Sequence, residues 1–255
     1  MISNTSQKIL DFVKKNEGTD PKGIVTYLGL NASGIFRHLK KMEQNNFLYK
    51  VGKPPKVRYY SYVTNINMES ELLQNGINWA VSGDTRLIVS DQLCETRDIF
   101  QARSNRLLND LKRIVKNENL VYLIVAAIGE IGNNSFDHNI GRWRDITGIF
   151  FGLDEKSRTI IIADRGQGVQ ATLKRVRPGI QSDAEALNVA FLETVSGRDP
   201  EQRGNGLKFV KKIVEENQLY LKLYTGKAVA EITKSEMKIT EFDTVIPGTL
   251  TYLIF

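Results

Sequence analysis

The chain has 255 residues, of which 41% are hydrophobic, and a formal net charge of +6 at pH 7; this is enough apolar material for a full core and agrees with two domains. No apolar run reaches membrane-spanning length and the polar start does not resemble a secretory signal, so we expect a soluble protein without a membrane partner. A single cysteine, Cys94, excludes a disulfide within the chain and favours a reducing, cytoplasmic location.

The positive charge is concentrated in the N-terminal quarter of the chain. Residues 1–63 contain 11 lysines or arginines and four acidic residues, whereas the remainder contains 24 basic and 25 acidic residues. A local basic excess of this kind is typical of a surface that contacts nucleic acid.

Three helices followed by a β-hairpin are predicted for residues 1–64. Apolar residues recur at helical spacing over Ser6–Lys15, and Asp20 followed by a proline is typical of the start of a second helix. After a third helix, Phe47–Val51 and Val57–Tyr62 are predicted to be two strands joined by a basic turn.

The third helix is predicted to have a basic outer side. Asn31 or Ser33 can cap it, and Ile35, Leu39 and Met42 fall on its inner side. The basic residues expected on its outer side are Arg37, His38, Lys40 and Lys41, and those of the hairpin are Lys53, Lys56 and Arg58.

This order of elements resembles the winged helix-turn-helix of bacterial transcription regulators. The resemblance implies that the third helix enters the major groove of DNA and that the hairpin contacts the backbone or minor groove. The seven basic residues just named are therefore candidate DNA contacts. Winged helices also serve as protein docking modules, and they often work as dimers, so docking and a homodimer remain alternatives.

The next segment is predicted to be a linker over residues 65–83. It is polar and rich in asparagine at first and then apolar around Ile77–Val81, where we expect it to become a packed segment. Helical patterns follow over Asp84–Phe100 and Gln101–Lys116.

The first of three short motifs is EIGNN, at Glu130–Asn134, within a helical pattern that extends over Leu120–His138. Glu130 and Asn134 are four residues apart, so both side chains project from the same helix face. Magnesium on nucleotide phosphates keeps most of its waters, which suits the single neutral oxygen of the Asn134 amide. The Glu130 carboxylate is then free to polarise a water or a hydroxyl group.

The second motif is DRGQG, at Asp164–Gly168. The β-branched run Thr159–Ile162 predicts a buried strand that ends at Asp164, whose carboxylate can accept a hydrogen bond from an exocyclic amine such as that of adenine. Gly166 and Gly168 follow where the chain must turn sharply and approach a flat base.

The third motif is RGNGL, at Arg203–Leu207. Gly204 and Gly206 precede a helical pattern, so the loop can present backbone N–H groups and a helix N-terminus to a phosphate.

Together, the three motifs resemble those of the GHKL ATPase superfamily, which includes gyrase B, histidine kinases and the anti-sigma-factor serine kinases. The resemblance covers about Asp84–Phe255 and implies an ATP and Mg²⁺ site in which Glu130 is the general base and Asn134 the metal ligand. It also implies that Asp164 reads adenine, and that Gly248–Phe255 is the last core strand. The further residues implied at the nucleotide are His138, Gly166, Gly168, Arg203, Gly204, Gly206 and Leu207.

The superfamily carries a mobile ATP lid between its second and third motifs, which corresponds here to about residues 169–203. We expect a basic stretch around Lys174 and then an amphipathic helix over Ala184–Thr194. Ser196 and Gly197 follow and are implied to lie at the nucleotide. Arg198 and Arg203 are candidates to reach the phosphates, or are solvated loop residues.

The predicted fold class is α+β. Residues 1–64 form the winged helix-turn-helix, and residues 84–255 form a Bergerat-type α/β sandwich whose mixed, largely antiparallel sheet is covered by helices on one face.

Three functions remain open at this point. The first is a transcriptional or signalling regulator in which Mg-ATP binding or hydrolysis is coupled to DNA binding. The second is a serine kinase that phosphorylates a small partner of the anti-sigma-antagonist kind, with the winged helix as a docking module. The third is nucleotide sensing without turnover. The resemblance does not choose among them, because the same carboxylate can orient a water or a hydroxyl group.

Overall fold

The computed structural model describes residues 3–16, 18–44, 47–51, 54–61, 70–86, 88, 91–193 and 206–255. It divides the chain into two compact units, Met1–Glu69 and Ser70–Phe255. In both units, helices and antiparallel strands are combined, so the fold class is α+β.

The first unit contains three helices and a two-stranded sheet. Their bounds are α1 Asn4–Lys15, α2 Pro21–Leu28, α3 Ala32–Gln44, β1 Leu48–Val51 and β2 Arg58–Ser61. The two strands pair antiparallel, with Leu48 opposite Ser61 and Val51 opposite Arg58. The prediction of three helices followed by a hairpin is confirmed.

Side-chain caps set the helix starts in this unit. The Asp20 carboxylate accepts from the backbone N–H of Gly23 at 2.7 Å, and Asn31 Oδ1 accepts from the backbone N–H of Ser33 at 2.9 Å. The predicted inner residues of α3, Ile35, Leu39 and Met42, are buried in one core with residues of α1 and α2. Just before α2, Thr19 also forms a backbone bridge with Tyr59 of β2.

The second unit is built on a five-stranded sheet in the order β3-β4-β5-β7-β6, and each neighbouring pair is antiparallel. The bounds of its strands are β3 Leu93–Cys94, β4 Ile149–Asp154, β5 Thr159–Asp164, β6 Tyr220–Ile232 and β7 Met237–Ile254. The bounds of its helices are α4 Glu71–Ser82, α5 Arg97–Ile114, α6 Glu118–Asn139, α7 Gly168–Leu173, α8 Asp183–Leu192 and α9 Gly206–Glu216.

Helices cover both faces of this sheet. Phe151 and Ile162 belong to the main core with α5, α6 and α9, whereas Phe150 and Ile161 point to the opposite face because strand residues alternate. On that face α4 packs closely: a Cβ atom added at Gly76 would lie 2.4 Å from Ile161 Cδ1 and 2.9 Å from Phe150 Cε1. Among the described residues, the expectation of a largely antiparallel sheet is confirmed, no parallel pair makes the sheet mixed, and the expectation of helices on one face is wrong.

The predicted linker also needs correction. Residues 70–82 of the segment assigned to it belong to the second unit, where Ser70 caps α4 and Ile77 and Trp79 are fully buried. The packed segment expected around Ile77–Val81 is therefore part of a helix of the second unit rather than of the linker.

The predicted helix over Asp84–Phe100 is wrong over most of its length. Leu93 and Cys94 form a short strand against β4, and α5 begins only at Arg97, after Thr96 accepts from the backbone N–H of Ile99 as its N-cap. Two of the apolar residues that suggested a helix, Leu93 and Cys94, instead form the edge strand of the sheet.

The expected lid region is largely part of the packed fold. Leu187 and Phe191 of α8 are fully buried in the main core, and the Asp183 carboxylate accepts from the backbone N–H of Lys227 at 2.9 Å. The helix Asp183–Leu192 is thus packed into the main core and hydrogen-bonded to the β6 segment. The rest of the expected lid, residues 194–203, lies outside the described residues.

Candidate functional site

Asp164 lies at the end of β5, as the strand pattern predicted, and is 1% exposed. Its Oδ2 accepts from Ser135 Oγ at 2.9 Å and from Thr249 Oγ1 at 2.5 Å. Its Oδ1 accepts from the backbone N–H of Gly166 at 2.8 Å and from Asn139 Nδ2 at 3.4 Å. Burial raises the pKa of this carboxyl, and hydrogen bonds from Thr249, Gly166 and Ser135 oppose that rise by stabilising the charged form.

The turn after Asp164 is fastened on one side to α6. Asn139, in the last turn of α6, accepts from the backbone N–H of Gln167 at 3.1 Å, and Gln167 Nε2 donates to the His138 carbonyl at 2.6 Å. A Cβ atom added at Gly166 would lie 2.0 Å from Asn139 Nδ2. Gly166 is therefore required by the asparagine that packs over it, in addition to any role beside a ligand.

On its other side the same turn is fastened to the sheet. Thr225 Oγ1 accepts from the backbone N–H of Val169 at 3.1 Å and donates to the Gly248 carbonyl at 2.9 Å. Gly168 begins α7 with a φ of 77°, in the left-handed region that glycine adopts without strain. A side chain there would also approach Thr225 Oγ1 at 3.0 Å.

Glu130 and Asn134 of the first motif face the start of α9, where the third motif ends. A Cβ atom added at Gly206, the first residue of α9, would lie 2.6 Å from Glu130 Oε2 and 3.4 Å from Asn134 Nδ2. The Glu130 side chain is exposed and Asn134 is half-buried. A carboxylate, an amide and a helix N-terminus, whose first backbone N–H groups have no partner within the helix, thus meet at one place.

The helix α6 joins these two clusters. Glu130 and Asn134 lie on one of its sides, and Ser135 and Asn139, also four residues apart, lie on the adjacent side beside Asp164. All three sequence motifs are therefore represented around the C-terminal half of a single helix.

The remaining predicted nucleotide residues have different surroundings. His138 is half-buried on α6. Leu207 is partly buried and packs against the main core, so its side chain does not join the cluster at Gly206. The predicted residues Ser196, Gly197, Arg203 and Gly204 lie outside the described residues, as does Arg198 of the expected lid.

Arg165, the second residue of the second motif, connects the turn to α4. Its guanidinium, 6% exposed, donates to the carbonyls of Trp79 and Ala80 at 3.1 and 2.7 Å and forms an ion pair with Asp145 at 2.5 Å. The Arg165 guanidinium holds the pKa of Asp145 below its usual range. Arg165 thus donates to carbonyls in the last turn of α4 and stabilises that end of the helix.

Sequence reasoning missed four of the residues that complete this site: Ser135, Asn139, Thr225 and Arg165. The four-residue spacing of Ser135 and Asn139 was visible, but it acquires a meaning only when Asp164 is known to lie beside α6. Thr249 carried a signal, because a Gly-Thr pair was expected at the start of the last core strand.

The predicted DNA-contacting residues of the first unit are partly arranged as expected. Arg37, Lys40 and Lys41 are exposed along α3, and Lys56 is exposed in the hairpin segment. Arg58 lies 3.4 Å from the Asp20 carboxylate. Lys53 lies outside the described residues.

His38 is a correction to that set. Its Nδ1 lies 2.9 Å from Ser6 Oγ of α1, and its side chain is half-buried. The ring helps to pack α3 on α1 rather than lying with Arg37 and Lys40 on the outer side.

A comparison with known protein families and with curated proteins finds no match for this chain. Among the residues that the structure describes, no helix combines the length and the apolar character needed to cross a membrane. Within the same residues, no three histidine, cysteine or acidic side chains are grouped as they would be around a metal ion.

Proposed function

We propose that the second unit binds Mg-ATP as a GHKL-type module, that the first unit binds DNA, and that the chain is a regulator in which the two events are coupled. The observation that carries the nucleotide proposal is the meeting of Glu130, Asn134 and Gly206 on one side of α6, with the buried Asp164 on the adjacent side. The three motifs are distant in sequence, and one helix contacts them all.

The residues present fit a magnesium nucleotide. Asn134 would supply one neutral oxygen to the ion, which agrees with the lack of a carboxylate cluster among the described residues. The N–H groups at the start of α9 would face phosphate oxygens, and magnesium would neutralise part of their charge. The exposed Glu130 carboxylate would accept a proton from a water or hydroxyl group.

At the other end, Asp164 would accept a hydrogen bond from the amine of a base. Asp164 is buried at the end of β5, and an ionised carboxylate there can only accept hydrogen bonds, so a ligand group that meets it must be a donor. This requirement favours adenine over guanine, whose corresponding edge carries a carbonyl oxygen.

Isothermal titration calorimetry with Mg-ATP tests the nucleotide proposal directly. We expect Asp164→Asn to weaken affinity by at least about tenfold, since it replaces an acceptor of charge-assisted hydrogen bonds by an amide. Asp154→Asn is a matched control, because Asp154 also ends a strand and accepts backbone N–H groups, but from Lys156 and Ser157. Equal affinities of the wild type and Asp164→Asn would refute the assignment.

The DNA proposal rests on the exposed Arg37, Lys40 and Lys41 of α3 and on the basic excess of the first 63 residues. Coupling requires that Mg-ATP bind the DNA-competent and DNA-incompetent states with different affinity. Mobility-shift titrations of the full chain, with and without Mg-ATP, measure this difference. Identical DNA affinities would exclude coupling while leaving both binding activities standing.

The exposure of Glu130 favours one second candidate, a protein serine kinase, because its carboxylate is accessible to a hydroxyl group of a partner. ATP labelled at the terminal phosphate separates the candidates: label appears on a protein for a kinase and as free phosphate for an ATPase. The variant Glu130→Gln should abolish either product and keep affinity. Glu118→Gln, near the start of the same helix, is the matched control.

A further inference from the structure

The carboxylate of Asp164 already has as many donors as it can readily accept. A carboxylate offers about four lone-pair sites, and those of Asp164 face Ser135 Oγ, Thr249 Oγ1, Gly166 N and Asn139 Nδ2, with the backbone N–H of Thr249 as a further donor. A donor on a ligand must therefore displace one of these groups.

The two donors from α6 have another acceptor within reach. Ser135 Oγ lies 3.4 Å from the carbonyl of Ile131, one turn back along the helix. Asn139 Nδ2 already donates to the carbonyl of Ser135 at 2.8 Å, and its contact with Asp164 is the long one at 3.4 Å. Helical serines commonly donate to the carbonyl four residues earlier.

The other two donors are less free to move. The backbone N–H of Gly166 belongs to the turn that Asn139 and Thr225 hold in place. Within the part of the chain that the structure describes, Thr249 Oγ1 has Asp164 as its acceptor and no second one. Ser135 is thus the donor at Oδ2 that can leave while keeping a hydrogen bond.

We propose that Ser135 is an exchangeable donor: in the ligand-free protein its hydroxyl occupies Asp164 Oδ2, and it turns to the Ile131 carbonyl when the amine of a bound purine nucleotide takes its place. The inference rests on the nucleotide site of the proposed function. Ser135 then sets the affinity by competing with the ligand, and it satisfies the buried carboxylate until the ligand arrives.

If the Ser135 hydroxyl competes with the ligand, its removal should increase the affinity of the protein for Mg-ATP. In Ser135→Ala the ligand displaces no hydrogen bond from Oδ2, whereas in the wild type a bond to a charged acceptor is exchanged for one to a neutral carbonyl. The difference between those two kinds of bond corresponds to about fivefold tighter binding of Mg-ATP by Ser135→Ala. A serine that merely held Asp164 in place would give the opposite sign.

Isothermal titration calorimetry on the full chain, with Mg-ATP as the probe, shows whether Ser135→Ala raises or lowers the affinity. Ser135→Thr keeps the hydroxyl and should retain wild-type affinity. Ser82→Ala is the matched control, because Ser82 is also a helical serine that donates four residues back, to the Asn78 carbonyl at 2.6 Å. Thermal unfolding provides a second measurement. Without ligand, Ser135→Ala should have a lower melting temperature than the wild type, and saturating Mg-ATP should reduce the difference between the two melting temperatures.

A triphosphate of purine riboside, which lacks the exocyclic amine, completes the experiment. It brings no amine to Oδ2, so Ser135→Ala should show no gain in affinity for it. Equal or weaker binding of Mg-ATP by Ser135→Ala, with normal binding by the wild type, would overturn the exchange and leave the nucleotide site intact. Absence of Mg-ATP binding by the wild type would overturn the proposed nucleotide site and the exchange together.

Discussion

The substitution Gly206→Ala tests whether the contact between Glu130 and the start of α9 matters for the proposed chemistry, because it should disturb that contact while leaving the fold intact. The added Cβ atom would lie 2.6 Å from Glu130 Oε2, which is too close for an undisturbed contact. Glu130 is exposed, and the atom approached is the end of a flexible side chain, so the carboxylate can rotate away. We therefore expect the carboxylate to move while the fold remains.

Gly206→Ala should change the stability of the protein little and its turnover of Mg-ATP much more. Replacing glycine by alanine at the first position of α9 stabilises the helix by about 0.5 kcal/mol, and moving Glu130 to another rotamer costs a similar amount, so the free energy of unfolding should change by less than about 1 kcal/mol. Displacing a catalytic group by about 1 Å can slow a reaction by up to about 100-fold. Turnover of Mg-ATP should therefore fall by roughly 10- to 100-fold.

Urea denaturation and phosphate release from saturating Mg-ATP measure the two quantities on the same samples. Gly129→Ala is the matched control, since Gly129 precedes Glu130 on α6 and an added Cβ atom there meets nothing within 4 Å. That variant should be more stable by up to about 1 kcal/mol, with unchanged turnover. Normal turnover in Gly206→Ala would show that the contact between Glu130 and the α9 start has no part in the chemistry.

Three further predictions address packing, charge and DNA contact. Gly132→Ala should destabilise the second unit by about 1–3 kcal/mol in urea denaturation, because its Cβ atom would lie 2.1 Å from Cζ of the buried Phe100. Asp145→Asn should lower the free energy of unfolding by no more than about 1 kcal/mol at pH 7, since Asp145 is 42% exposed beside Arg165. Arg165 depresses the pKa of Asp145 in the folded protein. The stability that Asp145 adds to the wild type is therefore present above the usual aspartate pKa of about 3.9, and it should disappear as the pH falls through the lower pKa of the folded state. If Lys40 contacts one phosphate, Lys40→Ala should reduce by about 0.9 the slope with which the logarithm of DNA affinity falls against the logarithm of salt concentration. Fluorescence anisotropy at several salt concentrations can measure this slope.

The elements predicted correctly are those specified by local patterns. The three N-terminal helices, β5 and α6 follow from apolar spacing together with caps such as Asp20, and these features act within a few residues. The meeting of Glu130 and Asn134 on one helix face was likewise accessible, since a spacing of four residues is enough to establish it.

The wrong predictions concern segments whose environment is determined by distant parts of the chain. The α8 helix was expected in a mobile lid because it lies between the second and third motifs, yet Leu187 and Phe191 belong to the main core. Similarly, α4 lies in a segment that was expected to be a linker becoming packed near Ile77. Only the position of the sheet reveals that Gly76 lies against Phe150 and Ile161.

The glycines of the second motif show why a motif alone is an ambiguous guide to function. Gly166 is required by the close approach of Asn139, and Gly168 by its positive φ and the nearby Thr225, so both have structural reasons to be glycine whether or not a base lies beside them. Asp164 is different, because its carboxylate is buried and burial raises its pKa, although donors from α6, β7 and the following turn satisfy it. Carboxyl groups with perturbed pKa values are concentrated at functional sites, which supports the binding role that we propose for Asp164. Asp164, rather than the glycines, is therefore the residue whose substitution most directly tests the site.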